Sequence, residues 1–175
     1  NKNKISNIYR KNFLDILKKT FKKISFNQNS FVHKDYFCNN LIYLENKKKH
    51  LKCGIIDYQD AFIGDQVLDL ISLLEDSRRI IKTNHKKKLI KYYLKNTYNN
   101  EDYDNYLNKL NFIGASRQTR ILGRWIKLFK IYKKKQYLKY IKYTWFWLEK
   151  NLEDPSLKDL KNLYLELIPL KMRKK

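Results

Sequence analysis

The chain has 175 residues, of which 43% are hydrophobic, and it carries a formal net charge of +22. This length and composition suffice for one domain with a buried core, and without a run of eighteen apolar residues a membrane-spanning helix is excluded. The first four residues lack the apolar segment of a signal peptide, so we expect a cytoplasmic location.

A net charge of this size favours binding to nucleic acid or anionic membranes, because clustered Lys and Arg release counterions from phosphates. The composition argues against that interpretation. Lysine far outnumbers arginine, and Asn, Ile, Tyr and Lys dominate while Gly and Pro are scarce, which is typical of an AT-rich coding sequence. The lysine runs at 47–49, 86–88 and 133–135 need not form one patch. We expect no nucleic-acid or membrane partner, and the sequence specifies no oligomeric state.

The first predicted elements are a helix and a strand. Apolar residues recur at helical spacing before position 25, and their shared face is expected to be core: Ile8, Phe13, Leu14, Leu17, Phe21 and Ile24. The short apolar stretch from Ser30 to Val32 predicts a strand, which would deliver His33 to a loop.

A polar motif follows this strand directly. His33 and Asp35 precede Asn40 in the loop, and Asp57 follows further along the chain. Phosphoryl transfer mainly requires a group that orients the attacking hydroxyl, together with oxygen ligands that hold magnesium on the phosphates. Asp35 suits the first task as a general base, and Asn40 and Asp57 suit the second as hard oxygen ligands. The motif therefore predicts a phosphotransferase site.

A hairpin is predicted between Asn40 and Asp57. Two apolar segments, 41–44 and 51–56, flank the polar tip 46–50. Because residues near the open ends of antiparallel strands are neighbours, we expect Asn40 and Asp57 to lie close enough to share one metal ion.

Two polar residues come immediately after this hairpin. Gln59 and Asp60 leave it toward the same cleft, so we consider them candidates for contacts with substrate hydroxyls.

Helices are predicted for most of the remaining chain. Asp65 is a candidate cap for the first of them. Their expected ranges are 67–74, 86–95, 103–132 and 137–148, with a last helix begun by Asp154-Pro155. The predicted fold class is therefore mainly α with a small β-hairpin, in a single domain over residues 1–175.

The aromatic residues of the last third of the chain have two interpretations. Trp145, Phe146 and Trp147, with Trp125, are candidates for a platform that stacks on a sugar ring. Core packing between helices is the preferred interpretation, because aromatics at helical spacing supply a large buried area.

Several segments together match a known pattern. They are Phe31–Tyr36, Asn40-Leu41, Gly54–Ala61, Asp69–Leu74, and Arg117-Gln118 with Ile121–Gly123. These residues resemble the aminoglycoside phosphotransferase family, and within it the bacterial kinases that phosphorylate N-acetylmuramate and N-acetylglucosamine at the anomeric position. The resemblance implies the C-terminal lobe of a protein-kinase-like fold, with ATP and Mg²⁺ as cofactors. It also implies a small-molecule acceptor, such as an amino sugar, a cell-wall sugar or an aminoglycoside.

The resemblance also implies roles for individual residues. It makes Asp35 the base, in a catalytic loop that includes His33, and it makes Asn40 and Asp57 the magnesium ligands. Asp69 would brace that loop through backbone hydrogen bonds.

Two departures from the pattern concern the acceptor. Lys34 stands where the sugar kinases usually carry Arg, and residues 37–39 replace a more polar stretch that contains His and Arg. These two departures concern which sugar the site accepts. They do not change the predicted reaction class.

The motif begins about thirty residues into the chain, and no glycine-rich loop or strand lysine precedes it to cover the nucleotide phosphates. We therefore interpret the chain as the C-terminal lobe alone, a fragment without the N-terminal nucleotide-binding lobe and inactive by itself. Two alternatives are a basic helical nucleic-acid-binding protein and a pseudokinase scaffold.

Overall fold

The computed structural model describes residues 7–97 and 102–173. In these ranges the chain is mostly helical, with two small antiparallel pairs of strands. It divides into two compact units: a central unit from Phe26 to Gly114, and a second unit formed by residues up to Ser25 and from Ala115 onward. The mainly helical fold class is confirmed. The predicted hairpin accounts for only one of the two strand pairs in the described ranges.

The central unit contains all four strands. Strand β1 (Ser30–Val32) pairs with β4 (Phe62–Gly64), and strand β2 (Leu41–Tyr43) pairs with β3 (Cys53–Ile55). The second pair is the predicted hairpin, with a 3₁₀ turn over Lys49–Lys52 at its tip. Strand β4 was not predicted, because three residues ending in glycine provide no local strand signal.

Helices α2 (Val67–Leu74), α3 (Thr83–Asn96) and the first part of α4 (Tyr103–Lys130) enclose the core of the central unit. Three α2 side chains spaced by four and three residues supply one face of that core, as an amphipathic helix should. The buried cluster consists of Val67, Ile71, Leu74, Ile90, Tyr106 and Leu110.

Asp65 lies at the junction between β4 and α2. Its Oδ1 accepts a hydrogen bond from the Val67 N–H at 3.0 Å, although the residue at the N-cap position of α2 is Gln66 rather than the predicted Asp65. Its Oδ2 accepts one from the Asn27 N–H at 2.8 Å and pairs with Lys109 Nζ at 3.0 Å. One carboxylate thus connects the start of α2 to the segment before β1 and to α4.

A lysine from the run at 86–88 is buried, although runs of this kind usually form a solvated surface. Lys86 is 8% exposed, and its ammonium forms an ion pair with Glu75, which is 0% exposed. A buried charge is costly unless it is paired, so the two residues depend on each other.

Replacing Lys86 with Met is expected to lower the free energy of unfolding by about 3 kcal/mol, because the Glu75 carboxylate would stay buried without this counter-charge. Lys87→Met is the matched control, since Lys87 is the exposed neighbour in the same helix. We expect that variant to change stability by less than about 0.5 kcal/mol. Urea denaturation of both variants measures the difference, and equal effects would contradict the assigned pair.

The second unit is helical throughout its described part. Its elements are α1 (Asn7–Phe21), the rest of α4, α5 (Ile141–Asn151), α6 (Lys158–Leu167) and α7 (Leu170–Arg173), with 3₁₀ turns over Lys135–Tyr140 and Pro155–Leu157. The helix predicted from Asp154-Pro155 therefore begins with a 3₁₀ turn, in which Asp154 Oδ1 accepts a hydrogen bond from the Ser156 N–H at 2.9 Å.

The packing of this unit corrects one expectation. Helix α1 contacts α6 through an edge-to-face pair of Phe13 and Tyr164 with ring centroids 6.2 Å apart. None of the α1 side chains is buried, however. The prediction that the apolar face of this helix belongs to the core is therefore wrong.

Core packing was predicted for four aromatic residues: Trp125 and Trp147 are buried, Trp145 is partly buried, and Phe146 is exposed, so the prediction is wrong for Phe146. Trp125 Nε1 donates a hydrogen bond to Thr144 at 3.0 Å.

Across residues 7–97 and 102–173 none of the helices combines the length and the apolar character that crossing a membrane requires.

Candidate active site

The loop that follows β1 is held by one carboxylate from α2. Asp69, in the first turn of α2, accepts backbone hydrogen bonds from the His33 N–H at 2.6 Å and from the Lys34 N–H at 2.9 Å. Lys34 has a φ of 75°, a left-handed conformation that is unusual for a residue other than glycine. These two hydrogen bonds stabilise the turn that presents Asp35.

Burial raises the pKa of the Asp69 carboxyl above its ordinary value of 3.8, because desolvation disfavours the charged form. The two backbone hydrogen bonds act in the opposite direction and lower the pKa, but they do not cancel the effect of burial. The loop N–H groups therefore favour the charged form of Asp69, which burial disfavours.

His33 occupies the interior of the site. It is 1% exposed, and its Nε2–H donates a hydrogen bond to the Ile56 carbonyl at 2.9 Å. Its ring also meets Tyr36 edge to face, with centroids 5.9 Å apart. His33 thus connects the loop to the residue that immediately precedes Asp57.

Asn40 joins the loop to the hairpin. It ends a 3₁₀ turn over Cys38–Asn40, and its Nδ2 donates to the Asp35 carbonyl at 2.9 Å. The same nitrogen lies 3.4 Å from Asp57 Oδ2, and the Ile56 N–H donates to the Asn40 carbonyl at 3.1 Å. Asn40 and Asp57 are therefore neighbours, as the predicted hairpin requires.

Asp57 also has an unusual backbone conformation. Its φ is 67°, its side chain is exposed, and its Oδ1 accepts a hydrogen bond from Gln59 Nε2 at 2.8 Å. Strained residues of this kind cluster at functional sites, where the surrounding structure maintains them. Lys34 and Asp57 are two of four such residues in the described part of the chain; Lys34 immediately precedes the proposed base, and Asp57 is itself a proposed metal ligand.

The two residues considered for substrate contacts lie at the exposed edge of this cluster. Gln59 is engaged with Asp57, and Asp60 lies 3.5 Å from Lys34 Nζ in an exposed ion pair. An ion pair this exposed contributes little to stability. The structure therefore places both side chains beside the cluster, where a ligand can reach them.

The donor set fits a magnesium ion that is shared with phosphates. No group of three or more His, Cys, Asp or Glu side chains capable of holding a metal occurs in the described ranges. Mg²⁺ in phosphotransferases is usually held by one or two protein oxygens together with substrate phosphates and water. One amide oxygen from Asn40 and one exposed carboxylate from Asp57 suit that arrangement.

Arg78 is a candidate that the sequence analysis missed. Its guanidinium lies 3.8 Å from the centre of the Phe37 ring, within the loop that carries Asp35 and Asn40. Its Nε donates to Asp76 Oδ1 at 2.8 Å. The only signal in the sequence was an acidic and a basic residue two positions apart after α2, which by itself indicates no site.

Comparison with known proteins places this chain in a family. Residues 1–106, more than half of the 175 residues, match the profile of the ecdysteroid kinase-like family. The chain belongs to the ecdysteroid kinase-like family. The matched range includes every candidate residue of this site, from His33 to Arg78.

The chain is also similar to a curated kinase. The chain is 30% identical over 144 residues to the N-acetylmuramate/N-acetylglucosamine kinase of Caulobacter vibrioides. The alignment covers 82% of this chain and 39% of the relative, so the chain spans about two fifths of that protein's length. The kinase-like, sugar-kinase relationship predicted from the motifs is confirmed.

Proposed function

We propose that this ecdysteroid kinase-like chain carries the catalytic residues of an ATP- and Mg²⁺-dependent phosphotransferase that acts on a hydroxyl group of an amino sugar. One observation carries the proposal. Asn40 Nδ2 lies 2.9 Å from the Asp35 carbonyl and 3.4 Å from Asp57 Oδ2, so the proposed base and the two proposed metal ligands belong to one hydrogen-bonded cluster.

In this proposal Asp35 orients the acceptor hydroxyl and takes its proton as the bond to phosphorus forms. A carboxylate on a rigid loop suits this task, because phosphoryl transfer depends mainly on positioning and charge stabilisation. Asp35 is half-buried, so its side chain is partly screened from water while it keeps access to a ligand.

Asn40 and Asp57 would hold the magnesium ion, which when bound neutralises charge on the transferred phosphoryl group. The contacts of Asn40 favour this assignment, because Nδ2 donates to the loop and no described residue donates a hydrogen bond to Oδ1, which suits that oxygen to a cation. Each oxygen of Asp57 accepts one hydrogen bond and retains a further lone pair.

Asp69 and His33 would act as positioning residues. Asp69 holds the backbone before Asp35, and His33 holds the backbone before Asp57. Because His33 is almost completely buried, we assign it to support of the loop rather than to contact with substrate. Gln59 and Asp60 remain the proposed contacts for acceptor hydroxyls.

The assignment of this chain to the C-terminal lobe of a protein-kinase-like fold is part of the same proposal. A protein-kinase-like C-terminal lobe over residues 1–175 is favoured by the order of strand, loop, hairpin and α2 in the central unit. This order brings Asn40 to the Asp35 carbonyl and to Asp57. It also brings Asp69 to the loop backbone before Asp35. The acceptor is proposed from the name of the relative, which is a kinase of two amino sugars.

The test is an assay of the protein expressed from its complete gene, with ATP, Mg²⁺ and a panel of N-acetylmuramate, N-acetylglucosamine, an aminoglycoside and choline. We expect ADP release that depends on an amino sugar, with a sugar phosphate detected by ³¹P NMR. ADP release without acceptor is the background measurement. If none of the amino sugars is phosphorylated, the proposed substrate class is wrong. Sequence-selective binding of nucleic acid at physiological salt without turnover would favour the nucleic-acid alternative.

A further inference from the structure

A rigidly held arginine lies beside the proposed catalytic loop. Arg78 donates to Asp76 Oδ1 twice, from its backbone N–H at 3.0 Å and from Nε at 2.8 Å. Asp76 is 2% exposed, whereas 27% of the Arg78 side chain is accessible. The buried carboxylate therefore holds Nε of the guanidinium, while the side chain as a whole stays partly accessible.

The flat face of the same guanidinium lies against the loop. Its centre is 3.8 Å from the centre of the Phe37 ring, a close cation–π arrangement that suits a planar group. Phe37 follows Asp35 by two residues, and its carbonyl accepts the Asn40 N–H at 2.9 Å at the start of the 3₁₀ turn. The position of Arg78 is thus tied to the segment between the proposed base and the first metal ligand.

The outer edge of the guanidinium is available to a ligand. Within residues 7–97 and 102–173, neither Nη1 nor Nη2 of Arg78 has a hydrogen-bond partner. Arginine has five N–H donors in a fixed planar fork, and the fork matches a carboxylate or a phosphate with two parallel hydrogen bonds. A group held in advance in this way loses little side-chain entropy when it binds an anion.

We infer that Arg78 binds a carboxylate of the acceptor and makes this site selective for an acidic amino sugar. The inference rests on the proposed function and specifies its substrate class. N-acetylmuramate differs from N-acetylglucosamine by a lactyl ether that carries a carboxylate. Because Arg78 lies against Phe37, two residues after the proposed base that receives the acceptor hydroxyl, we assign its anion to the acceptor rather than to the nucleotide.

The experiment compares Arg78→Gln and Arg78→Lys with the control Arg79→Gln in the protein expressed from its complete gene. Arg79 is the exposed neighbour and undergoes the same change of charge. Calorimetry measures binding of each sugar without nucleotide, and steady-state kinetics measures KM for each sugar and for ATP. Circular dichroism verifies that every variant is folded.

We expect Arg78→Gln to lower the preference for N-acetylmuramate over N-acetylglucosamine on the order of 10- to 100-fold, mainly through Kd and KM rather than kcat. Arg78→Lys should keep only part of the preference for N-acetylmuramate, because an ammonium lacks the planar pair of N–H donors. Arg79→Gln should leave the preference unchanged.

Two results for Arg78→Gln would overturn the inference and leave the proposed function intact. One is an unchanged sugar preference, and the other is a raised KM for ATP with equal losses of affinity for both sugars. The second would assign the guanidinium to a nucleotide phosphate. If the unmodified protein neither binds nor phosphorylates either sugar, the proposed function itself fails, and the inference fails with it.

Discussion

Asp35→Asn is expected to lower kcat for the amino-sugar acceptor by about 10³-fold, because the amide cannot take the proton of the attacking hydroxyl. The substitution keeps the size of the side chain and leaves intact the Asp35 carbonyl that accepts from Asn40. The loop should therefore keep its conformation, and KM for ATP should change little. The measurement is steady-state kinetics on the protein expressed from its complete gene.

The matched control for this variant is Asp104→Asn. Asp104 is an exposed carboxylate in the first turn of α4, so the same chemical change occurs away from the proposed site. We expect its kcat to stay within about twofold of the unmodified protein, since surface changes of this kind have small effects. If Asp35→Asn retains normal turnover, the assignment of Asp35 as the base is wrong.

Asp57→Asn is expected to lower kcat/KM on the order of 10²- to 10³-fold, because a neutral amide holds a divalent cation less strongly than a carboxylate. The Mg²⁺ concentration needed for half-maximal activity should rise in the same variant. A readout independent of turnover is the binding of Mn²⁺ in the presence of ATP, measured by electron paramagnetic resonance, which should weaken in parallel.

Stability provides the control for Asp57→Asn. The side chain is exposed and interacts with Gln59 and Asn40, so its replacement should change the free energy of unfolding by less than about 1 kcal/mol. Unchanged Mn²⁺ binding and an unchanged Mg²⁺ requirement would contradict the proposed ligand, whatever the effect on turnover.

Local signals were sufficient for most helices and for the hairpin. The periodicity of apolar residues predicted α3 and α4 to within a few residues of Thr83–Asn96 and Tyr103–Lys130, because one face of each helix must be buried. Asn40 and Asp57 were expected to be neighbours because a short hairpin separates them, and Leu41 indeed pairs with Ile55.

Contacts between distant segments were not predictable in this way. Strand β4 pairs with β1 about thirty residues earlier, and three residues cannot encode a partner so far away in the sequence. Lys86 belongs to a run of three lysines, and only the packing of α3 shows that it is paired with Glu75. A charge pattern alone does not reveal which of three adjacent lysines faces inward.

Residue types and spacing alone predicted the proposed chemistry: an aspartate, an amide and a second aspartate at spacings that suit phosphoryl transfer, in a mainly helical chain. Those features depend on residue type and on neighbours within a few positions. The hydrogen bonds from the loop backbone to Asp69 and the contact of Arg78 with Phe37 are seen only in the tertiary structure. These contacts join residues more than thirty positions apart, and the packing of α2 against the loop, which local propensity does not encode, brings them together.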